Sequence, residues 1–103
     1  MAWRKVNRCI EYLYWKDHIT EKIIAKHGVT PEEVEEVIYE GNPDVRKTGK
    51  NRYLVWGLSC SGRYLLIVLE EESSGVFIPI TARDMTKKEK SAFKKIKKRY
   101  EKT

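Results

Sequence analysis

Apolar positions in this chain follow two periods, and the change falls near residue 44. Before it, apolar residues recur three or four apart, as on one face of a helix; after it they alternate or run together, as in strands. Ile19, Ile23 and His27 stand four apart with Ile24 beside them, predicting a helix that opens at Asp17 and closes on Gly28. A second helix follows directly. Thr30 takes the N-cap, Pro31 the first turn and Glu33 the reciprocal capping position, with Val29 and Val34 placed to staple the entry. Val34, Val37 and Ile38 form its apolar stripe, and Gly41 and Pro43 stop it.

Ahead of this helical hairpin, RCIEYLYW (8–15) reads as a first strand. DVRKTGKN predicts a short strand and a turn. RYLVWGLSC and RYLLIVLEEE are two stronger strands, separated by a tight turn at Ser61–Gly62. The second is apolar on both faces, which marks a central strand. VFIPITAR closes the β region after the turn at 73–75, and Pro79, lacking a ladder donor, predicts an edge or a bulge. A last helix starts at Thr86 with Glu89 completing a second capping box, and Phe93, Ile96 and Tyr100 supply its stripe. Strands joined by hairpins and helices segregated from them imply an α+β fold: a small antiparallel sheet of about five strands with an N-terminal helical hairpin and a C-terminal basic helix, in one domain over residues 1–103.

Charge changes the picture at the C-terminal end. The net charge is +6, yet residues 86–103 hold nine lysines and arginines against two glutamates, while the rest is close to neutral. A basic segment on a neutral body points to a polyanion or to an acidic protein as partner. No apolar run approaches the ~20 residues of a membrane span, and MAWRKVNRC has no apolar core of a secretion signal, so a cytoplasmic protein with no membrane association is expected. Cys9 and Cys60 are expected to be free thiols.

The two histidines and two cysteines match no common zinc spacing, and no phosphate-binding loop or nucleophile elbow occurs, so no metal and no cofactor are expected. The acidic runs at 32–36 and 70–72 are most simply solvated charge. Cationic chemistry remains. Arg63 opens a strand and Arg83 ends its neighbour, so both guanidinium groups can enter one pocket and bind a phosphate through their forked donors. The amides of the following helix would add to that seat, with Lys87 and Lys88 beside it. The competing reading pairs Arg83 with Asp84 or with a glutamate of 70–72. His27, as a histidine, is a candidate general acid or base, against a purely structural role at a helix end.

KHGVTPEEVEEV (26–37), GRYLLIVL (62–69) and ITARDMTKKEKSAF (80–93) resemble, in order and spacing, the BrnT-like toxins of toxin–antitoxin pairs. The resemblance implies a RelE-like fold, metal-independent RNA cleavage that inhibits translation, and neutralisation by a co-encoded antitoxin. Carried over position by position, it implies His27, Arg63 and Arg83 as catalytic residues and Lys26 as a weaker match. Lys87, Lys88, Lys94 and Lys95 would bind RNA phosphates. Ile23 and Phe93 stand where relatives often have polar residues. The alternative is a catalytically inactive RelE-like module that binds an acidic antitoxin-like protein or nucleic acid. A homodimer stays open.

Overall fold

The computed structural model describes residues 10–41 and 43–101, with side chains to residue 98. Cys9 and the side chain of Tyr100 therefore lie outside the described residues, as does the start of the predicted first strand. The elements run β1 (Tyr12–Leu13), α1 (Asp17–His27), α2 (Pro31–Tyr39), β2 (Asp44–Lys47), β3 (Arg52–Leu58), β4 (Tyr64–Ser73), β5 (Val76–Asp84) and α3 (Lys87–Glu101). The five strands form one sheet in the order β1-β5-β4-β3-β2. β2 through β5 pair antiparallel, as hairpin connections dictate. β1 is much shorter than RCIEYLYW suggests and lies parallel to β5, which makes the sheet mixed. The two-helix crossover between β1 and the rest of the sheet permits that parallel pairing.

The helix ends behave largely as their residues require. Thr30 and Glu33 exchange both bonds of a capping box, each at 3.2 Å. Val29 and Val34, at the staple positions, are fully buried. Gly28 sits at φ 63 and closes α1, a conformation that favours glycine. At the start of α1 the cap is Lys16 rather than Asp17, with no side-chain bond, so Asp17 serves as an acidic first-turn residue. Ile24 is exposed and only Ile23 of α1 is buried.

The core lies between the helical hairpin and one face of the sheet. Leu65, Ile67 and Leu69 of β4, Tyr53 and Val55 of β3, and Phe77 and Ala82 of β5 meet Ile23, Val34, Val37 and Ile38 there. Gly57 belongs to the same face, and a Cβ on it would come within 2.5 Å of Val37 Cγ1, so α2 rests directly on the β3 backbone.

Pro79 does mark a bulge. Val68 pairs with Thr81 but Leu69 pairs with Pro79, leaving Ile80 as the extra residue on β5. The insertion reverses the alternation of β5. Phe77 and Pro79 point to the core before it, and Ala82 and Asp84 share that face after it. Arg83 is thereby turned to the opposite face.

That second face carries the cross-strand row Asp44, Trp56, Leu66 and Arg83, one residue from each of β2 to β5. α3 covers part of it through Phe93, whose ring meets Tyr64 edge-on at 6.1 Å. Among the described residues no helix is long and apolar enough to cross a membrane.

Candidate active site and nucleic-acid interface

The two arginines do not share a pocket. Leu65 lies opposite Asp84, and Leu66 opposite Arg83. Arg63, two residues before Leu65, lies on the hairpin side of the sheet, and Arg83 lies on the α3 side. The Ile80 bulge is the cause.

Arg63 is saturated. Nε donates to Asp84 Oδ1 at 2.7 Å and Nη2 to Asp84 Oδ2 at 3.0 Å. Nη1 donates to the Gly28 carbonyl at 2.9 Å and to Glu33 Oε1 at 3.1 Å, and Nη2 also donates to the His27 carbonyl at 2.8 Å. A guanidinium has five N–H groups, and all are committed. They tie the end of α1, the start of α2 and the end of β5 into one joint. The carbonyls of His27 and Gly28 are orphans of a helix C-terminus, which a cation is well placed to satisfy. Asp84 holds the Arg63 guanidinium above its usual pKa, and Arg63 in turn pulls the Asp84 carboxyl below its own.

Arg83 is only partly engaged. Nη1 donates to Glu89 Oε1 at 2.7 Å and to the Asp84 carbonyl at 3.0 Å, and Nη2 donates to Glu89 Oε2 at 2.9 Å. Its Nε–H and second Nη2–H are not used in these bonds, and its side chain is 35% exposed. The carboxylate partner is Glu89, not Asp84 or the 70–72 glutamates. Glu89 also takes the Thr86 amide at 2.8 Å, while the Glu89 amide donates to Thr86 Oγ1 at 3.2 Å, which completes the second capping box. The Arg83 guanidinium and the capping bonds hold the Glu89 carboxyl down to about 2. Lys87 and Lys88 occupy the first turn of α3, both exposed, with their amides directed out of the helix end.

His27 is half-buried at the end of α1, and its carbonyl binds Arg63. Through that carbonyl the backbone of His27 is tied by Arg63 to Asp84 at the end of β5. Lys26 is exposed on α1. Lys94 lies over the Tyr64 ring at 5.3 Å and Lys90 at 5.7 Å, while Lys95 is exposed elsewhere on α3. Lys94, Lys97 and Lys98 line a groove with Tyr64, Leu58 and Phe93. Ile23 and Phe93 are both buried.

The carboxylates are what reading the residues one by one missed. Glu33, Asp84 and Glu89 are the partners that decide which arginine is free. The two capping boxes were the available signal for Glu33 and Glu89, since each glutamate already had to turn toward its own helix start. Cys60 is a free, exposed thiol that donates to Glu40 at 3.2 Å, and the nearby carboxylates raise its pKa. No group of three or more histidine, cysteine or acidic side chains placed to hold a metal occurs among the described residues.

The fold, a five-stranded sheet with a helical hairpin and a C-terminal helix, has counterparts. A family model described as ribonuclease toxin, BrnT, of type II toxin–antitoxin system matches residues 15–89. The crystal structure of the Brucella abortus ribonuclease toxin BrnT superposes with a TM-score of 0.62 at 18% identity, covering 74% of this chain and 97% of that one. At that identity the likeness establishes the fold. No curated protein sequence matches the chain significantly. With its model spanning the helical hairpin, strands β2 to β5 and the start of α3, this chain belongs to the BrnT family of ribonuclease toxins of type II toxin–antitoxin systems, whose partners are an RNA substrate and a co-encoded antitoxin.

Proposed function

We propose that the chain is a metal-independent endoribonuclease that acts in the cytoplasm, inhibits translation by cutting RNA, and holds the scissile phosphate at the start of α3. The observation that carries this is the contrast between the arginines: Arg63 has no donor left, whereas Arg83 keeps two beside the open end of a helix. A phosphate there would meet those N–H groups, the first-turn amides of α3, and Lys87 and Lys88. Stabilising the charge that develops on the pentavalent phosphate is the contribution such fixed donors make. His27 is the group for proton transfer, and Lys94 and Lys95 track the RNA backbone together with Lys26. Arg63 acts as the joint that positions His27 and β5 rather than as a ligand of the substrate.

Purified protein is incubated with RNA in the presence of a chelator, and wild type is compared with Arg83→Ala and His27→Asn. Wild type cuts; Arg83→Ala falls about a hundredfold or more, as for loss of one charge-stabilising donor. Equal cleavage by Arg83→Ala refutes the assignment. Burial of Ile23 and Phe93 in packing, where relatives often carry polar groups, favours one alternative: a module that binds its antitoxin without cutting. That reading requires no cleavage by wild type, with antitoxin binding intact. Light scattering on the same protein separates monomer from homodimer.

A further inference from the structure

Arg63 and Arg83 each hold a carboxylate, but on different edges of the guanidinium. A guanidinium has a side edge, where Nε–H and the outer Nη2–H run parallel, and an end edge, where the inner hydrogens of Nη1 and Nη2 do the same. On Arg63 the side edge is filled: Asp84 places one oxygen on Nε at 2.7 Å and the other on Nη2 at 3.0 Å. On Arg83 the carboxylate takes the end edge instead, with Glu89 Oε1 on Nη1 at 2.7 Å and Oε2 on Nη2 at 2.9 Å. The other Nη1 hydrogen goes to the Asp84 carbonyl at 3.0 Å. What remains on Arg83 is the whole side edge, two parallel donors spaced for two oxygens of one anion. Asp84 on Arg63 shows, within the same molecule, how a two-oxygen anion fits that edge.

We propose that Glu89 is a positioning residue of the ribonuclease: it aims the free edge of Arg83 at the scissile phosphate without touching the substrate itself. The inference rests on the ribonuclease reading above. An arginine side chain turns about several torsions, and its guanidinium has no fixed direction unless it is held. Glu89 holds it with both oxygens and is itself anchored. Its Oε1 also receives the Thr86 amide at 2.8 Å, and its own amide donates to Thr86 Oγ1 at 3.2 Å. The carboxylate therefore ties the guanidinium to the helix start whose amides would meet the same anion. Holding catalytic donors in place before the substrate arrives is what makes them effective.

The same carboxylate works against binding. Its charge lies across one guanidinium from the phosphate, so it repels the RNA that it helps to orient. A unit charge roughly 6 Å away in water changes affinity about threefold. With its carboxyl held down to about 2, Glu89 carries that charge throughout the neutral range. Orientation and affinity are therefore opposed at this one side chain. A residue that only capped α3 would change stability and leave both untouched.

The test compares the intact wild type with Glu89→Gln and Glu89→Asp in two measurements. One is affinity for a 2′-O-methyl RNA oligonucleotide, whose blocked hydroxyl prevents cutting. The other is the single-turnover cleavage rate of the matching RNA at saturation. Glu89→Gln keeps the length but loses the charge and one accepting oxygen; it should bind about threefold tighter and cut about tenfold slower, short of the hundredfold cost of removing the donor itself. Glu89→Asp keeps the charge but is one methylene too short to reach both nitrogens; it should cut more slowly with affinity unchanged. Adding Glu89→Gln to Arg83→Ala should slow cleavage no further, because Glu89 acts through that guanidinium. Circular dichroism establishes folding at the assay temperature, and either Glu89 variant decides if the other does not fold. Cutting at or above the wild-type rate by a folded Glu89 variant overturns the role of Glu89, and so does a further fall on the Arg83→Ala background. Wild type that binds the oligonucleotide without cutting RNA sinks the ribonuclease reading and the role of Glu89 with it; wild type that cuts, with both Glu89 variants equal to it, sinks only the role of Glu89.

Discussion

Replacing Arg63 separates a structural joint from a catalytic group. In Arg63→Ala five hydrogen bonds disappear, to the His27 and Gly28 carbonyls, Glu33 and Asp84. Their value depends on solvent. Asp84 is 57% exposed and is simply rehydrated, so its share is about 0.5 kcal/mol, as for surface ion pairs. Glu33 is 18% exposed, and the two carbonyls end a helix that packs against the core. Each of these three bonds is worth about 1 kcal/mol when a charged donor is lost from a partly buried site. The total is about 3.5 kcal/mol, a large share of the ~5–15 kcal/mol of an ordinary domain. With a urea slope of about 1.5 kcal/mol per molar, the unfolding midpoint should drop by about 2 M. Arg63→Lys should lose less than alanine but not recover wild type, since an ammonium cannot span carboxylate and carbonyls together. The assay pairs urea melts with RNA cleavage under conditions where each variant is folded. A loss below about 1 kcal/mol, combined with a hundredfold fall in cleavage by folded protein, would show that Arg63 touches the substrate and that the joint has been misread.

Acid stability should report on Glu89. Its carboxyl titrates at about 2 in the folded chain against 4.5 ordinarily, so its contribution is complete above pH 4.5 and is lost as the pH falls from there toward 2. At ~1.4 kcal/mol per unit, reduced because Arg83 is partly solvated, this amounts to roughly 1–3 kcal/mol; Glu89→Gln should flatten the acid limb of a melting-temperature profile, and an unchanged limb would contradict the pairing. Gly57→Ala forces a methyl against Val37 at the α2–β3 contact and should cost about 1–3 kcal/mol, read from thermal melts; Val37→Ala in the same chain should recover part of it. Reversing charge at Lys94 and Lys95 should weaken RNA binding and lower its salt slope by about 0.7 for each phosphate contact removed. A variant that keeps the wild-type salt slope would place the RNA elsewhere.

The sequence alone determined what local chemistry controls. Both capping boxes, the Gly28 close of α1, the bulge at Pro79 and the central place of β4 follow from neighbours within a few residues, because capping, φ preference and donor loss act at that range. Motif order likewise carried the family. The direction of β1 was not legible, since two residues of strand hold no record of the partner they meet across a two-helix crossover. Nor was the role of each arginine. With unbroken alternation Arg83 would share a face with Phe77 and meet Arg63; the single extra residue at Ile80 turns it to the other side, toward α3 and Glu89. Strand faces repeat every two residues, so one inserted residue reverses every side chain beyond it, and only pairing with β4 shows where the insertion falls. The tertiary structure thus decided that Arg63 closes a joint and that Arg83, gripped by Glu89, keeps donors for an anion.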